Sequence, residues 1–285
     1  MFDNFSDNWK IKIIETGSFK LDGGAMMGSV PKVLWEKTNP CDNLNRINLS
    51  MRCLLLDNGT DIILIETGIG NKNSQKFIEM FCIEQSVFPL KDQLEASGYN
   101  LNDITHVILT HLHFDHAGGA TYFDGNKNVP TFPNAKYMIS KSNWNAAIKP
   151  NPKDKASYLS ENFIPILEHN QLVLVEDDSH IMDSIEGLSF YGHTTGQQLI
   201  KINSNNDSLV FCSDLIPLKS HLKLPWIMGY DLNAMKTLEE KTLFLNQASK
   251  ENWLLFFYHD PKVAAVRIEQ NKKYYNITEE YFSDD

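Results

Sequence analysis

Four side chains that can bind a metal ion stand close together in the middle of the chain. Residues 110–119 read Thr-His-Leu-His-Phe-Asp-His-Ala-Gly-Gly and contain His111, His113, Asp115 and His116. Imidazole nitrogens and carboxylate oxygens are the donors that zinc and similar divalent metals accept. The plainer alternative is a polar loop rich in histidine, but the alternating spacing favours a metal site.

Polar residues at the ends of predicted strands supply further donors. The apolar, β-branched run 106–110 predicts a buried strand directly before the histidine-rich segment. Downstream, His193 follows the predicted strand 188–191, Asp214 ends the predicted strand 208–214, and His259 follows the apolar run 253–258. A scaffold of strands that carries polar residues on its loops is a common way to present a functional site.

These seven residues, in this order, resemble the metal site of the metallo-β-lactamase superfamily. The resemblance implies two divalent ions, zinc first, with manganese, cobalt or iron as alternatives. It implies that His111, His113 and His193 hold the first ion, that Asp115, His116 and His259 hold the second, and that Asp214 bridges them. A carboxylate at position 214, where the best-known zinc-dependent β-lactam-degrading branch has Cys, suits a two-metal clamp. His113, where the oxygen-reducing flavodiiron branch has Glu, favours a hydrolase.

Flanking segments narrow the resemblance to one branch. Residues 19–32, 64–72, 214–217 and 224–231 are similar to those of quorum-quenching N-acyl homoserine lactonases and of methyl parathion hydrolase, and the resemblance runs from about residue 14 to 268. Two positions depart from the pattern. Pro217 stands where several lactonases carry a Tyr that hydrogen-bonds the lactone carbonyl. Glu66 replaces the usual Asp, and we expect it to orient a ligand imidazole from behind.

The resemblance therefore predicts an enzyme, a dinuclear metal-dependent hydrolase that opens a lactone of the N-acyl homoserine type. A hydroxide bridging the two metals attacks the carbonyl, and Asp115 serves as the catalytic acid that protonates the leaving alkoxide. A phosphotriesterase or aryl-esterase of the same fold is the first alternative. A metal-bearing sensor that binds an acyl ligand without turnover is the second, and the intact ligand set argues against it.

Substrate contacts are assigned to residues outside the metal motif. Met26, Met27, Trp226 and Met228 are predicted to form an apolar wall for an acyl chain, with ordinary core packing as the alternative. His221, shortly after the bridging acid, is predicted to face the substrate, and a solvated loop histidine is the alternative.

The pattern of elements predicts the fold. A hairpin is expected around Asp57-Asn-Gly-Thr60, between strands 48–56 and 61–66, and helices are expected at 90–97 and 233–250. Further strands are expected at 136–140 and 197–203, and a last strand at 263–269. We read residues 149–155, which contain two prolines, as a loop over the site. Residues 1–285 are thus expected to form a single α/β domain, a four-layer αββα sandwich with two mixed sheets flanked by helices.

The net charge and composition of the chain restrict the classes of molecule that it is expected to bind. A net charge of −10 and a pI near 5.4 argue against nucleic acid, and a small ester or lactone is the expected partner, with a homodimer left open. No apolar run is long enough to cross a membrane, and residues 1–9 do not have the pattern of a signal peptide. The four cysteines lack a CxxC spacing, so free thiols and a cytoplasmic location are expected, with Cys53 and Cys212 in the core.

Overall fold

The computed structural model describes residue 5 and residues 8–204, 207–272 and 274–282. The N-terminal segment on which the signal-peptide prediction rests lies mostly outside these residues. In the described part of the chain, no helix is both long and apolar enough to cross a membrane.

The strands, in chain order, are β1 (Lys10–Asp22), β2 (Arg46–Asp57), β3 (Ile62–Ile65), β4 (His106–Leu109), β5 (Thr121–Phe123), β6 (Asn128–Pro130), β7 (Lys136–Ser140), β8 (Leu172–Val175), β9 (His180–Met182), β10 (Ile185–Phe190), β11 (Gln197–Ser204), β12 (Asp207–Phe211), β13 (Leu254–Phe256), β14 (Val263–Asn271) and β15 (Tyr274–Phe282). The α-helices are α1 (Gly23–Met27), α2 (Lys32–Trp35), α3 (Gln75–Phe81), α4 (Pro89–Ala96), α5 (Phe114–Ala117), α6 (Lys141–Ile148), α7 (Ile164–Glu168) and α8 (Ala234–Lys250).

The strands form two large mixed sheets. The first has the order β1-β2-β3-β4-β7-β8, and the second has the order β15-β14-β13-β12-β11-β10-β9, while β5 and β6 form a small hairpin. Strands β3, β4, β7 and β8 are parallel to one another, as are β12 and β13. Helix α4 packs beside β1, and α8 packs on β14. The predicted αββα architecture is confirmed.

Side chains along the central strands of the second sheet point alternately into two hydrophobic cores. Leu209 and Phe211 of β12 point into the large core that both sheets share. Val210, between them, joins a second core that includes Phe244 and Leu245 of α8. Because successive side chains of a strand point to opposite faces, a continuous apolar run fills both layers. This explains why the strand sequence lacks an apolar-polar alternation.

Backbone contacts join the two sheets next to the predicted metal ligands. The amide of Ser50 in β2 donates to the carbonyl of His259 at 3.0 Å, and the amide of Arg52 donates to the carbonyl of Tyr258 at 3.2 Å. The Arg52 guanidinium, which is buried, donates to the carbonyl of Phe257 at 3.0 Å. The first sheet therefore holds in place the loop that follows β13.

Most predicted elements are confirmed, including the hairpin and both helices. All four cysteines are free, and Cys53 and Cys212 are buried. The prediction that 263–269 is the last strand is wrong, because β15 follows it and pairs with β14. β15 is an edge strand with mostly exposed side chains, so it lacks the apolar pattern of a buried strand. Strand β1 was also not anticipated.

Candidate metal centre and active site

Strand ends bring the predicted ligands to one edge of the sandwich. In the first sheet, β3 leads to Glu66 and the parallel strand β4 leads to His111. In the second sheet, β12 leads to Asp214 and the parallel strand β13 leads to His259. The carboxyl ends of parallel strands lie at the same edge, where ligand sites of α/β proteins commonly form. The strand order therefore places these residues beside one another.

Three imidazoles form the first cluster of donors. Nδ1 of His113 lies 3.1 Å from Nε2 of His111 and 3.3 Å from Nε2 of His193. The outer nitrogens are anchored: Nδ1 of His111 lies 3.0 Å from the Thr110 hydroxyl, and Nδ1 of His193 donates to Asp231 at 2.9 Å. The three inner nitrogens are thus free to share one cation.

The second cluster combines imidazole and carboxylate donors. Oδ2 of Asp115 lies 3.5 Å from Nε2 of His259 and 3.9 Å from Nε2 of His116. Nδ1 of His259 donates to the Ser50 carbonyl at 2.9 Å. Oε1 of Glu66 lies 3.4 Å from Nδ1 of His116 and accepts a hydrogen bond from the Thr110 amide at 3.0 Å. The longer glutamate therefore reaches the back of this imidazole.

Asp214 lies between the two clusters. Its Oδ2 is 3.2 Å from Nε2 of His193 in the first cluster. Its Oδ1 is 3.3 Å from Nε2 of His259 and 3.4 Å from Nε2 of His116 in the second. One carboxylate thus offers an oxygen to each cluster, which is the geometry that a bridging ligand requires.

The clustered groups shift one another's pKa values in both directions. Burial alone would lower the pKa values of His116 and His193, but the facing carboxylates, Asp214 first, raise them above the usual value. Burial and the neighbouring imidazoles hold the pKa values of His111 and His113 well below the usual value. Burial alone would raise the pKa of Asp214, but the facing imidazoles of His116, His193 and His259 hold it well below its usual value. Neutral imidazoles and ionised carboxylates are the forms that bind metals. Oδ1 of Asp214 and Nε2 of His116 are buried and have no hydrogen-bond partner among the described residues, as expected of metal donors.

Within the described residues, three groups of donors could therefore hold a metal ion. They are His111 with His113 and His193, His111 with His116 and Asp214, and Asp115 with His116 and His259. All the donors are nitrogen or carboxylate oxygen, a set that fits zinc and other first-row divalent ions.

The backbone beside the ligands adopts uncommon conformations. Glu66 has a φ of 68°, and Ser213, the residue before Asp214, has a φ of 45°. The Ser213 hydroxyl lies 2.7 Å from the Thr110 hydroxyl and accepts from the Gln197 amide group at 2.9 Å. Left-handed backbone at residues other than glycine costs free energy and is found preferentially at functional sites. Here the hydrogen bonds of Ser213 hold the backbone that orients Asp214 after β12.

A cavity of about 440 Å³ opens onto the donors, a size typical of small-molecule sites. His113, Asp115, His193, Asp214 and His259 lie on its floor. The apolar part of its wall comes from β1, α1, α3, α5 and the segment after β12; its residues are Leu21, Met26, Phe77, Met80, Phe81, Phe114 and Met228. Lys153 and Asp154 also line it, so the 149–155 segment is a loop over the site, as predicted.

Three predicted substrate contacts need correction. Met26 and Met228 line the cavity, but Met27 and Trp226 do not: Met27 is fully buried in the core, and Trp226 borders a separate groove. His221 is 1% exposed, and its Nε2 donates to the Met26 carbonyl at 2.9 Å. Burial and the nearby Lys241 ammonium lower the pKa of His221 to about 3. It therefore acts as a neutral structural donor that holds α1.

The sequence reasoning missed several residues of the site. Asp231, the partner of His193, lies 38 residues away in the chain, and no motif marks it. Tyr230 lines the cavity, and its hydroxyl makes no hydrogen bond within the described ranges. Partial burial and the carboxylates of Asp22 and Asp115 raise the pKa of Tyr230 to about 12, so the phenol keeps its proton. For α3, Ser74 as an N-cap and the spacing of Phe77, Met80 and Phe81 were available signals.

Comparisons with known proteins agree with this geometry. The chain is 28% identical over 244 residues to an N-acyl homoserine lactonase of Bacillus cereus, covering 80% of this chain and 85% of that protein. It resembles the crystal structure of a probable metal-dependent hydrolase from Staphylococcus aureus with a TM-score of 0.90 and 29% identity, covering 98% of both chains. It shares the fold of AidC, a dizinc quorum-quenching lactonase solved with its product, with a TM-score of 0.80 at 20% identity and coverage of 97% and 96%.

A family model matches the part of the chain that carries the site. Residues 51–259, which include all seven predicted ligands, match the model of the metallo-beta-lactamase superfamily. Since this match covers well over half of the chain, the protein belongs to the metallo-β-lactamase superfamily and is a hydrolase.

Proposed function

We propose that the protein opens the ring of a lactone, of the N-acyl homoserine type, with two divalent metal ions, most readily zinc. The observation that carries the proposal is the position of Asp214, with one carboxylate oxygen facing each donor cluster at the floor of a partly apolar cavity. Relatives named as N-acyl homoserine lactonases, which are 26–28% identical, supply the substrate class.

The seven side chains divide between the two ions as the family pattern implies. His111, His113 and His193 would hold one ion, Asp115, His116 and His259 would hold the other, and Asp214 would touch both. Bound there, the pair of ions polarises a carbonyl and lowers the pKa of a water molecule toward neutrality. Asp231 and Glu66 position His193 and His116 from behind.

Asp115 is the proposed acid for the leaving group. Its side chain is 6% exposed and lies on the cavity floor beside His259. As the ring opens, a carboxylate at this place can pass a proton from the attacking water to the ring oxygen, so that the oxygen leaves as an alcohol and not as an alkoxide.

Tyr230 is the proposed donor to the substrate oxygen. Pro217 occupies the position where several lactonases have Tyr, and the Pro217 carbonyl accepts from the His259 amide at 3.3 Å. Tyr230 enters the cavity from a different loop, is 39% exposed, and has no hydrogen-bond partner for its hydroxyl among the described residues. A phenol whose pKa is about 12 donates at neutral pH, so it can hydrogen-bond the carbonyl oxygen and the negative charge that develops there.

The cavity wall supports an acyl chain as part of the substrate. Phe77, Met80 and Phe81 of α3 line this cavity together with Met26 and Met228, so the tail would contact flexible and aromatic side chains. The four free thiols support a reducing compartment such as the cytoplasm as the place of action.

Pro217 leaves one alternative, a phosphotriesterase or aryl-esterase, because the usual lactonase tyrosine is missing there. Metal-loaded protein should be assayed in parallel on N-acyl homoserine lactones and on aryl phosphotriesters. Acid release from the lactones with a kcat/KM at least a hundredfold above that for the phosphotriester supports the proposal. Rapid phosphotriester cleavage without lactone opening would replace it by the alternative.

A further inference from the structure

A second cavity, of about 840 Å³, does not belong to the active site. It is a groove between the segment 219–226 and the edge strand β15, and none of its lining residues borders the metal cavity. Its walls include Leu224 and Trp226 on one side and Tyr274 and Ile277 on the other. We name it the Trp226 groove. Apolar walls and a volume in this range are typical of small-molecule sites.

The two lysines that line the groove differ in whether a carboxylate pairs with them. Lys219 is paired with Glu280 at 2.6 Å, and the Asp260 carboxylate accepts the backbone amides of Lys219, Lys262 and Val263. Lys223 is different: its ammonium lies 4.1 Å from the centre of the Trp226 ring, and no carboxylate in the described ranges is within ion-pair distance of it. The groove therefore presents one exposed positive charge without an anionic partner at its rim.

We propose that the Trp226 groove binds a single-chain acyl carboxylate, with its head group at Lys223 and its tail along Trp226, Leu224 and Ile277. The charge of Lys223 selects an anion, and the aromatic and aliphatic walls select an extended alkyl chain. The inference does not depend on the lactone assignment. A fatty acid and a ring-opened N-acyl amino acid share this chemistry.

The segment that forms the groove also reaches the metal centre. The buried Lys241 ammonium donates to the carbonyls of Lys223 at 2.9 Å and of Trp226 at 2.6 Å. Five residues after Trp226, Asp231 holds His193. A ligand in the groove would therefore contact the beginning of the segment 223–231. The end of this segment, Asp231, positions the predicted metal ligand His193.

The test measures binding of decanoate to metal-loaded full-length protein by calorimetry. Lys223→Met should weaken binding about tenfold, because it removes the charge that pairs with the carboxylate. Ile277→Glu, on an edge strand where the side chain is 37% exposed, should abolish binding by placing a carboxylate beside the tail. Lys32→Met is the matched control, since Lys32 lies 5.7 Å from the centre of the Trp35 ring, outside the groove, and should leave the Kd unchanged.

Ligand variation completes the test. Decanol should bind at least tenfold more weakly than decanoate, and each methylene removed from decanoate should cost roughly fourfold in Kd. If N-decanoyl-homoserine binds as tightly as decanoate, the groove accepts acyl carboxylates in general. Tighter binding of the homoserine derivative alone would identify the hydrolysis product as the ligand. Unchanged decanoate binding in both Lys223→Met and Ile277→Glu, or equal binding of decanol, would overturn the proposal.

Discussion

Asp231 accepts a hydrogen bond from Nδ1 of His193 at 2.9 Å, and both side chains are buried. This contact turns Nε2 of His193 toward Asp214 and the other imidazoles. A carboxylate behind a metal-binding imidazole fixes its tautomer and orientation and increases its basicity.

We expect Asp231→Ala to weaken metal binding at the first cluster about ten- to a hundredfold. Asp231→Asn, which keeps an acceptor but loses the charge, should have a smaller effect. Competition with a metal-sensitive dye measures the affinity. Asp124→Ala, at an exposed turn, serves as the control. An Asp231→Ala protein with wild-type metal affinity would show that Asp231 has only a structural role.

The two clusters should lose their ions independently. His193→Ala should remove the first ion and His259→Ala the second, so that each variant retains about one ion per chain. Asp214→Ala should weaken both, because its two oxygens face different clusters. Elemental analysis of protein dialysed against limiting zinc measures the stoichiometry. Loss of both ions in each single histidine variant would point to one cooperative site.

Tyr230→Phe should lower kcat for lactone opening about ten- to a hundredfold and change KM little. The lost hydrogen bond serves a developing negative charge, and such bonds contribute about 1.5–3 kcal/mol. Steady-state kinetics on one lactone suffices. Tyr281→Phe, a tyrosine on β15 that lines neither cavity and donates to Glu279, should match the wild type. A Tyr230→Phe enzyme with full kcat would leave the metals as the sole support for the substrate oxygen.

Helix α3 should set the preference for chain length. Wild-type kcat/KM should rise roughly fourfold per acyl methylene until the wall ends, since burying one methylene contributes about 0.8 kcal/mol. Phe81→Ala should flatten this rise, because Phe81 lines the cavity. Phe123→Ala removes an exposed aromatic ring elsewhere and should leave the slope intact. An unaltered slope in Phe81→Ala would place the acyl chain outside this wall.

The metal motif was predictable from the sequence because its members are either adjacent, like His111 and His113, or mark the ends of apolar strands, like Asp214. The apolar runs of the strands and the Gly and Asn residues at turns are also local signals, so they indicated the sheets of the αββα sandwich. What is local in the chain, or fixed by strand direction, can be inferred without coordinates.

The supporting residues could not be predicted in this way. Asp231 and Tyr230 reach the site only through the path of the loop before α8, and a loop carries no periodicity. Trp226 and Met228 are two positions apart, yet they border different cavities. Strand β15 escaped prediction because edge strands expose most of their side chains.

The central proposal for this protein is that two metal ions act together to open a lactone. Protein stripped with chelator should be titrated with zinc while acid release from N-decanoyl homoserine lactone is followed. We expect no activity without metal, little at one equivalent, and a maximum at two equivalents per chain. Full activity at one equivalent, or activity that survives the chelator, would contradict the proposal.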